Sequence, residues 1–209
     1  APVELVDRTE ETEVAFLDEI KERKVWRATN ILLGYRHHEA EVGTRKEVLC
    51  LWIPCLNALG ELTLIASPRG LRAVLWPNEL AQPGRLPMAA DGDPDAAKVL
   101  REAVLQLEEY FAGDRREFDL PLDPVGTDFQ QSAWLQLRRI PYGATISYGE
   151  QARRLGDVHK SRAVGAANGR NPISIIVPCH RVVGANGALT GFAAGLEAKA
   201  WLLRHEQGT

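Results

Sequence analysis

Cysteine is scarce in this chain. Cys50, Cys55 and Cys179 are its three thiols among 209 residues, an odd number without framework spacing. That excludes a disulfide-stapled scaffold and points to a reducing compartment, the cytoplasm, or the nucleus of a cell that has one. Long apolar runs are missing as well. No stretch approaches the roughly 20 apolar residues of a membrane span, so no membrane association is expected. The acidic opening "APVELVDRTEE" lacks the basic start and apolar core of a signal peptide. Excess charge is also absent, the net value being −3. What remains is a globular chain with material for one large domain or two small ones.

The small net charge hides a division. Residues 127–209 hold ten Lys and Arg against five Asp and Glu, whereas residues 1–126 hold 15 against 23. Eight of the basic residues fall within 138–181, where the acidic ones are Glu150 and Asp157. A basic half joined to an acidic half gives one face that attracts a polyanion, and the concentration points to nucleic acid.

Periodicity divides the chain further. Residues 10–36 read as a charged, partly amphipathic helix in an N-terminal extension, 1–46. "EVLCLWI", "ELTLIAS" and "LRAVLWP" are short β-prone runs parted by "NALG" and "SPRG", the pattern of an antiparallel meander. From Asp95 to Ala112, the residues Ala96, Val99, Leu100, Ala103, Val104, Leu107 and Phe111 recur at helical spacing. Sheet and helix together make a small N-terminal lobe, 47–120, and the Pro-rich "FDLPLDPVG" reads as a linker. In the C-terminal domain, 127–209, Thr127 is placed to cap a helix with the stripe Phe129, Ala133, Trp134, Leu137 and Ile140. Ser147 is placed to cap "YGEQARRLG", and "DVHKSRAVGAANGR" follows, with Ala163, Val164 and Ala167 as its packing face. Two short helices across a Gly-containing turn resemble a helix-turn-helix. Its second helix offers Ala, Gly and Val rather than long polar side chains, so it suits close approach to a groove more than base reading.

"NPISIIVPCHRVVG" (171–184) sets a thiol, an imidazole and a guanidinium side by side at the end of an apolar run that reads as a buried strand. A cysteine acts as a nucleophile in its thiolate form, which a neighbouring imidazole or cation favours. His180 follows Cys179 directly; on an extended chain the two side chains diverge, so a bridging water or a turn at Pro178 is needed to connect them. A carboxylate to set the imidazole's tautomer is available at Glu206, in "WLLRHE". On these residues alone, a reactive cysteine and a buried structural cysteine beside a surface histidine both stand.

"IIVPCHRVV" with "GRNP" upstream, "ISYGEQARRLG" before it and "TGFAAGLEAKAWLLRHE" after it resembles the O6-alkylguanine-DNA alkyltransferases. The likeness runs from about Thr127 to Glu206, with a weaker match of "LGELTLIAS" and "GLRAVLWP" to the family's N-terminal lobe. It implies an α+β fold: a small N-terminal lobe with antiparallel sheet and helix, and an all-helical C-terminal lobe with a helix-turn-helix and an active-site turn. It also implies direct repair of O6-alkylguanine, chiefly O6-methylguanine, in duplex DNA, in a single turnover that moves the alkyl group irreversibly to the protein's own cysteine. Cys179 would be the acceptor, His180 a base acting through water, Glu206 its orienting carboxylate and Asn171 the hinge beside the active-site turn. Tyr148 would help swing the target nucleotide, and Arg162 would fill the gap it leaves. Val182, Phe192, Ala193 and Ala194 would line the base pocket. The implied partner is double-stranded DNA met in the minor groove by a monomer, and no cofactor is called for.

The chain departs from the pattern in places. Ala194 stands where relatives often carry Gly, which narrows the implied pocket against bulky adducts, and Ala193 where some carry Ser. Some relatives hold zinc in the N-terminal lobe; the available ligands here are His37, His38, Cys50 and Cys55, whose loose C-x4-C spacing argues against a metal. Two other classes fit parts of the sequence. A cysteine hydrolase would use Cys179, His180 and Glu206 but leave the helix-turn-helix and Arg162 unexplained. A non-catalytic alkylation-damage binding protein would have no use for Cys179.

Overall fold

The computed structural model describes the backbone of residues 49–55, 60–76 and 94–208, and the side chains of 62–76 and 94–208, all within one compact unit, Leu33–Thr209. The expected helix at 10–36 and the histidines and cysteines weighed as zinc ligands lie outside the described side chains. The meander is present as β1 (Leu49–Cys55), β2 (Gly60–Ser67) and β3 (Gly70–Leu75), antiparallel in the order β1-β2-β3. Leu62, Leu64 and Ala66 face one side and Ile65 the other, so both faces of β2 are buried.

The outer edge of β3 is not left open. Leu71 N–H donates to Pro121 O at 2.8 Å, Asp123 N–H donates to Leu71 O at 2.8 Å, and Val74 N–H donates to Pro172 O at 2.8 Å. The linker and the segment ahead of Cys179 therefore both hang on this strand, which removes an exposed edge and ties the two lobes together. Gly70 permits the approach: its φ is +153°, and a Cβ there would stand 2.5 Å from Pro121 O. Asp123 secures the linker by accepting from Ser67 Oγ at 2.7 Å and from Arg72 Nη2 at 3.0 Å.

Helix α1 (Pro94–Ala112) covers the sheet with the expected stripe, Ala96, Val99, Leu100, Ala103, Val104 and Leu107. Phe111 is half-buried, and the stripe's last fully buried position is Tyr110. Each large apolar residue buried this way contributes roughly 1.5–3 kcal/mol. Glu108, on the same helix, has a buried Oε2 without a hydrogen-bond partner among the described residues. Burial, helped by the charge of Glu109, raises its pKa to about 7. The folded pKa lies above the unfolded value, so the protonated carboxyl stabilises fully below about pH 4.5 and this contribution is lost as pH rises through 7. Discounted for partial exposure, the effect is about 1 kcal/mol. Glu108→Gln is therefore expected to raise Tm at pH 8 by about 2–4 °C. The gain should vanish near pH 4; an equal gain at both pH values would contradict the assignment.

The C-terminal lobe begins at α2 (Asp128–Leu137), capped by Thr127 and Gln130 in a reciprocal capping box. Ala133, Trp134, Leu137 and Ile140 are buried as expected, whereas Phe129 is half-buried. Then come β4 (Ile146–Ser147), α3 (Tyr148–Arg154) with Ser147 as its N-cap, a 3-10 turn (Val158–Lys160) and α4 (Ser161–Asn168). Trp134 Nε1 donates to Ala167 O at 2.9 Å, and Gln151 and Asn168 exchange amide hydrogen bonds in the interior. Val164 and Ala167 pack inward, but Ala163 faces solvent, because a helix this short turns one side inward and Asn168 completes that side. The lobe carries one feature beyond helices: β4 pairs in parallel with β5 (Val182–Val183). Helix α5 (Leu196–Gln207) ends the described chain at Gly208, whose φ is +71°. No helix among the described residues is long and apolar enough to cross a membrane.

Candidate active site

The apolar run before Cys179 is not a strand. Ile173 makes a single bridge to Val74, and residues 174–177 then turn tightly. Val177 N–H returns to Ile173 O at 2.9 Å, and Ile175 has a φ of +75°. A β-branched residue in the left-handed region costs on the order of 1–3 kcal/mol, a strain typical of functional turns. Asn171 holds the turn closed: its Nδ2 donates to Val177 O at 2.7 Å, and its Oδ1 accepts from Ile173 N–H at 3.1 Å. It lies three residues beyond the end of α4, so it links the helix-turn-helix to the cysteine turn.

Cys179, His180 and Arg181 form a 3-10 turn, all three buried. This local twist replaces the divergence expected of an extended chain. Cys179 is 8% exposed and belongs to the same apolar cluster as Val182. Half-buried Tyr148, Phe192, Ala193 and Ala194 pack against that cluster. Phe192 stands edge-on to Trp76 at 5.7 Å and to His180 at 6.4 Å between ring centroids. Tyr148 Oη donates to Thr190 O at 3.1 Å, closing the loop that bears Phe192 over its own helix.

Glu206 lies at the centre of a buried polar group. Its Oε1 meets His180 Nε2 at 2.8 Å, Arg181 Nη2 at 2.9 Å and Tyr110 Oη at 2.9 Å; its Oε2 accepts from Arg181 Nε at 2.8 Å and from Gly143 N–H at 3.1 Å. Burial alone would raise this carboxyl, but the hydrogen bonds from His180 and Arg181 outweigh it and hold Glu206 far below the usual carboxylate range. An ionised acceptor requires the proton of His180 to sit on Nε2. Nδ1 is then a bare acceptor, buried and without a partner among the described residues. Burial lowers the His180 pKa from 6.5 more than Glu206 restores it, so the imidazole is neutral at neutral pH. Tyr110 is pushed upward by burial and by the charge of Glu206, and stays a donor.

Four members of this arrangement escaped sequence reasoning. Arg181 stood in the quoted run without a role; Tyr110 and the Gly143 amide come from other parts of the chain. Lys199 is the fourth: fully buried, its Nζ donates to Val182 O at 2.6 Å and to Thr190 O at 2.7 Å, and lies 5.9 Å from the centre of the Tyr148 ring. Burial lowers its pKa, while negative charge on Cys179 opposes the fall. A signal existed, since Lys199 and Glu206 fall on the same apolar stripe of α5 as Leu202 and Leu203. Arg162 is separate from this group, exposed in the first turn of α4 with Ala163 and Ala166 beside it. Among the described residues no group of three or more His, Cys, Asp or Glu could hold a metal ion.

A sheet-and-helix lobe joined to a helix-turn-helix lobe, with Cys179 and the Glu206-held His180 between them, defines an α+β protein of the DNA-alkyltransferase kind. Residues 128–208 match the 6-O-methylguanine DNA methyltransferase, DNA binding domain, and residues 57–124 match the ribonuclease-like domain of the same proteins. The methylated-DNA--protein-cysteine methyltransferase of Methanosarcina acetivorans is 60% identical over 109 residues, 52% of this chain and 70% of that protein. The Mycobacterium tuberculosis protein of that name is 48% identical over 151 residues, 72% of this chain and 88% of that one. Mycobacterium tuberculosis OGT in complex with DNA superposes with a TM-score of 0.65 at 46% identity, over 75% of this chain and 91% of that one. The chain belongs to the 6-O-methylguanine DNA methyltransferase family.

Proposed function

We propose that this protein repairs O6-alkylguanine in DNA directly, by moving the alkyl group to Cys179. The observation that carries the reading is the neutral imidazole of His180, fixed by Glu206 through Nε2 with Nδ1 bare, one residue from a buried thiol. In this scheme the thiol proton leaves through a water to His180 Nδ1. The thiolate attacks the alkyl carbon in line with the bond to O6; the S–C bond forms as the C–O bond breaks. The electron pair goes to the base, which takes back one proton as guanine. Glu206 orients the imidazole and stabilises it while protonated. A thioether has no leaving path here, so the protein acts once.

A base inside the helix cannot present its O6 substituent, and extrusion costs a few kcal/mol. Helix α4, with its small exposed side chains, meets the minor groove of double-stranded DNA, and Arg162 occupies the gap left in the stack. Tyr148 guides the nucleotide and hydrogen-bonds the base. Val182, Phe192, Ala193 and Ala194 bound its site, with Ala194 disfavouring bulky adducts. Asn171 couples the DNA-binding helices to the cysteine turn, and Lys199 holds the loop around the base by its two carbonyl contacts. The protein works as a monomer in the cytoplasm, or in a nucleus, with residues 47–120 as support for the catalytic domain 127–209 and 1–46 as an extension.

Incubation with a duplex carrying O6-methylguanine labelled on the methyl group is expected to place label on protein, saturating at one equivalent. Label released as methanol with continued turnover would instead indicate hydrolysis. Arg162→Ala is expected to slow transfer from duplex about tenfold, for a loss of about 1.4 kcal/mol in extrusion. Transfer from the free nucleobase, which needs no extrusion, should be unchanged; equal slowing on both substrates would remove Arg162 from that role.

A further inference from the structure

A cleft of about 360 Å³ opens where the end of α2, the segment after α1 and the cysteine turn come together. Four guanidinium residues line it, Arg116, Arg138, Arg139 and Arg181, with the ring of Tyr142 and one acidic residue, Glu117. The Cζ atoms of Arg116 and Arg181 each lie 5.7 Å from the centre of the Tyr142 ring. Such volume lies in the range of small-ligand sites.

The charges are unbalanced. Arg181 is matched by Glu206, to which it gives two hydrogen bonds, and its Nη1 donates to Ile140 O at 2.6 Å. Arg116, Arg138 and Arg139 are exposed at the cleft, and among the described residues no carboxylate lies within ion-pair distance of them. Set against Glu117, these three leave two positive charges. The dipole of α2 favours cations at its C-terminal end, which accounts for Arg138 and Arg139 there. It does not account for Arg116, which arrives from another element, nor for a concavity between them. Planar guanidinium forks lining one space match the oxygens of a phosphate group.

We propose that this cleft is a phosphate-binding site distinct from the alkyl-transfer centre, taking two negative charges from either a free phosphate compound or the backbone of a nucleic-acid strand. Calorimetric titration of the full chain with inorganic pyrophosphate at low salt tests it. Binding is expected in the parent, with Kd weakened at least about tenfold (about 1.4 kcal/mol) in R138Q/R139Q. The separate R116Q variant, on another element, should weaken it as well. These side chains are exposed, so the variants should melt as the parent does. The two sources separate by the salt dependence of binding to an undamaged duplex. A slope reduced by about one per lost arginine assigns the site to strand phosphates, and an unchanged slope with lost pyrophosphate binding assigns it to a free phosphate compound. Absence of pyrophosphate binding to the parent, or equal Kd in parent and variants, overturns the proposal. Methyl transfer from free O6-methylguanine, measured on the same variants, reports on the alkyl-transfer reading independently.

Discussion

Cys179→Ser is expected to abolish methyl transfer, by at least about 10³-fold, while affinity for duplex DNA stays near the parent value. A hydroxyl fits the space of the thiol in the buried Cys179, so the turn and the helix-turn-helix should be undisturbed. What is lost is a good nucleophile for alkyl carbon: a thiol gives up its proton far more readily than an alcohol, and thiolate sulfur attacks saturated carbon much better than a serine oxygen. The measurements are label transfer and mass analysis of the peptide spanning Cys179, set beside DNA binding on the same preparation. A Ser variant that still removed the methyl group would place the acceptor elsewhere.

Glu206→Gln should be damaging in two ways that can be read separately. It removes the negative charge against which Arg181 is buried, and an uncompensated buried charge costs about 3–5 kcal/mol, a fall in Tm on the order of 10 °C. It also removes the groups that keep His180 basic. Burial already lowers that imidazole, Arg181 lowers it further, and only the hydrogen bond and charge of Glu206 oppose them. Transfer should therefore slow by about 10²–10⁴ at temperatures where the variant is still folded. In the parent, neutral His180 persists below pH 6.5, so the rate should hold as pH falls through that value and decline only at lower pH. A parent rate that halves near pH 6.5 would show that the imidazole is not held neutral.

Local features of the fold were legible in the residues. The stripe on α1 up to Leu107 and the caps at Thr127 and Ser147 depend on neighbours three or four positions away, and they occur as expected. The run 173–177 misled because four apolar residues in five positions do not distinguish a strand from a buried turn. The left-handed backbone at Ile175 and the clamp by Asn171 decide it, and no propensity announces them. Ala163 was misplaced because an eight-residue helix made mostly of small residues carries little periodic signal.

What the sequence by itself determined is the chemistry on offer: a thiol, an imidazole and a carboxylate in recognisable surroundings, with a basic helix pair beside them. Which atom of His180 is bare was decided by tertiary structure, because that follows from Glu206, 26 positions away, being ionised. Its ionisation depends in turn on Arg181 and His180 being enclosed with it, with donors from Tyr110 and Gly143 completing the set. Spacing along a chain encodes helices and turns. The charge state of a buried group depends on everything packed around it, and only the folded chain brings those groups together.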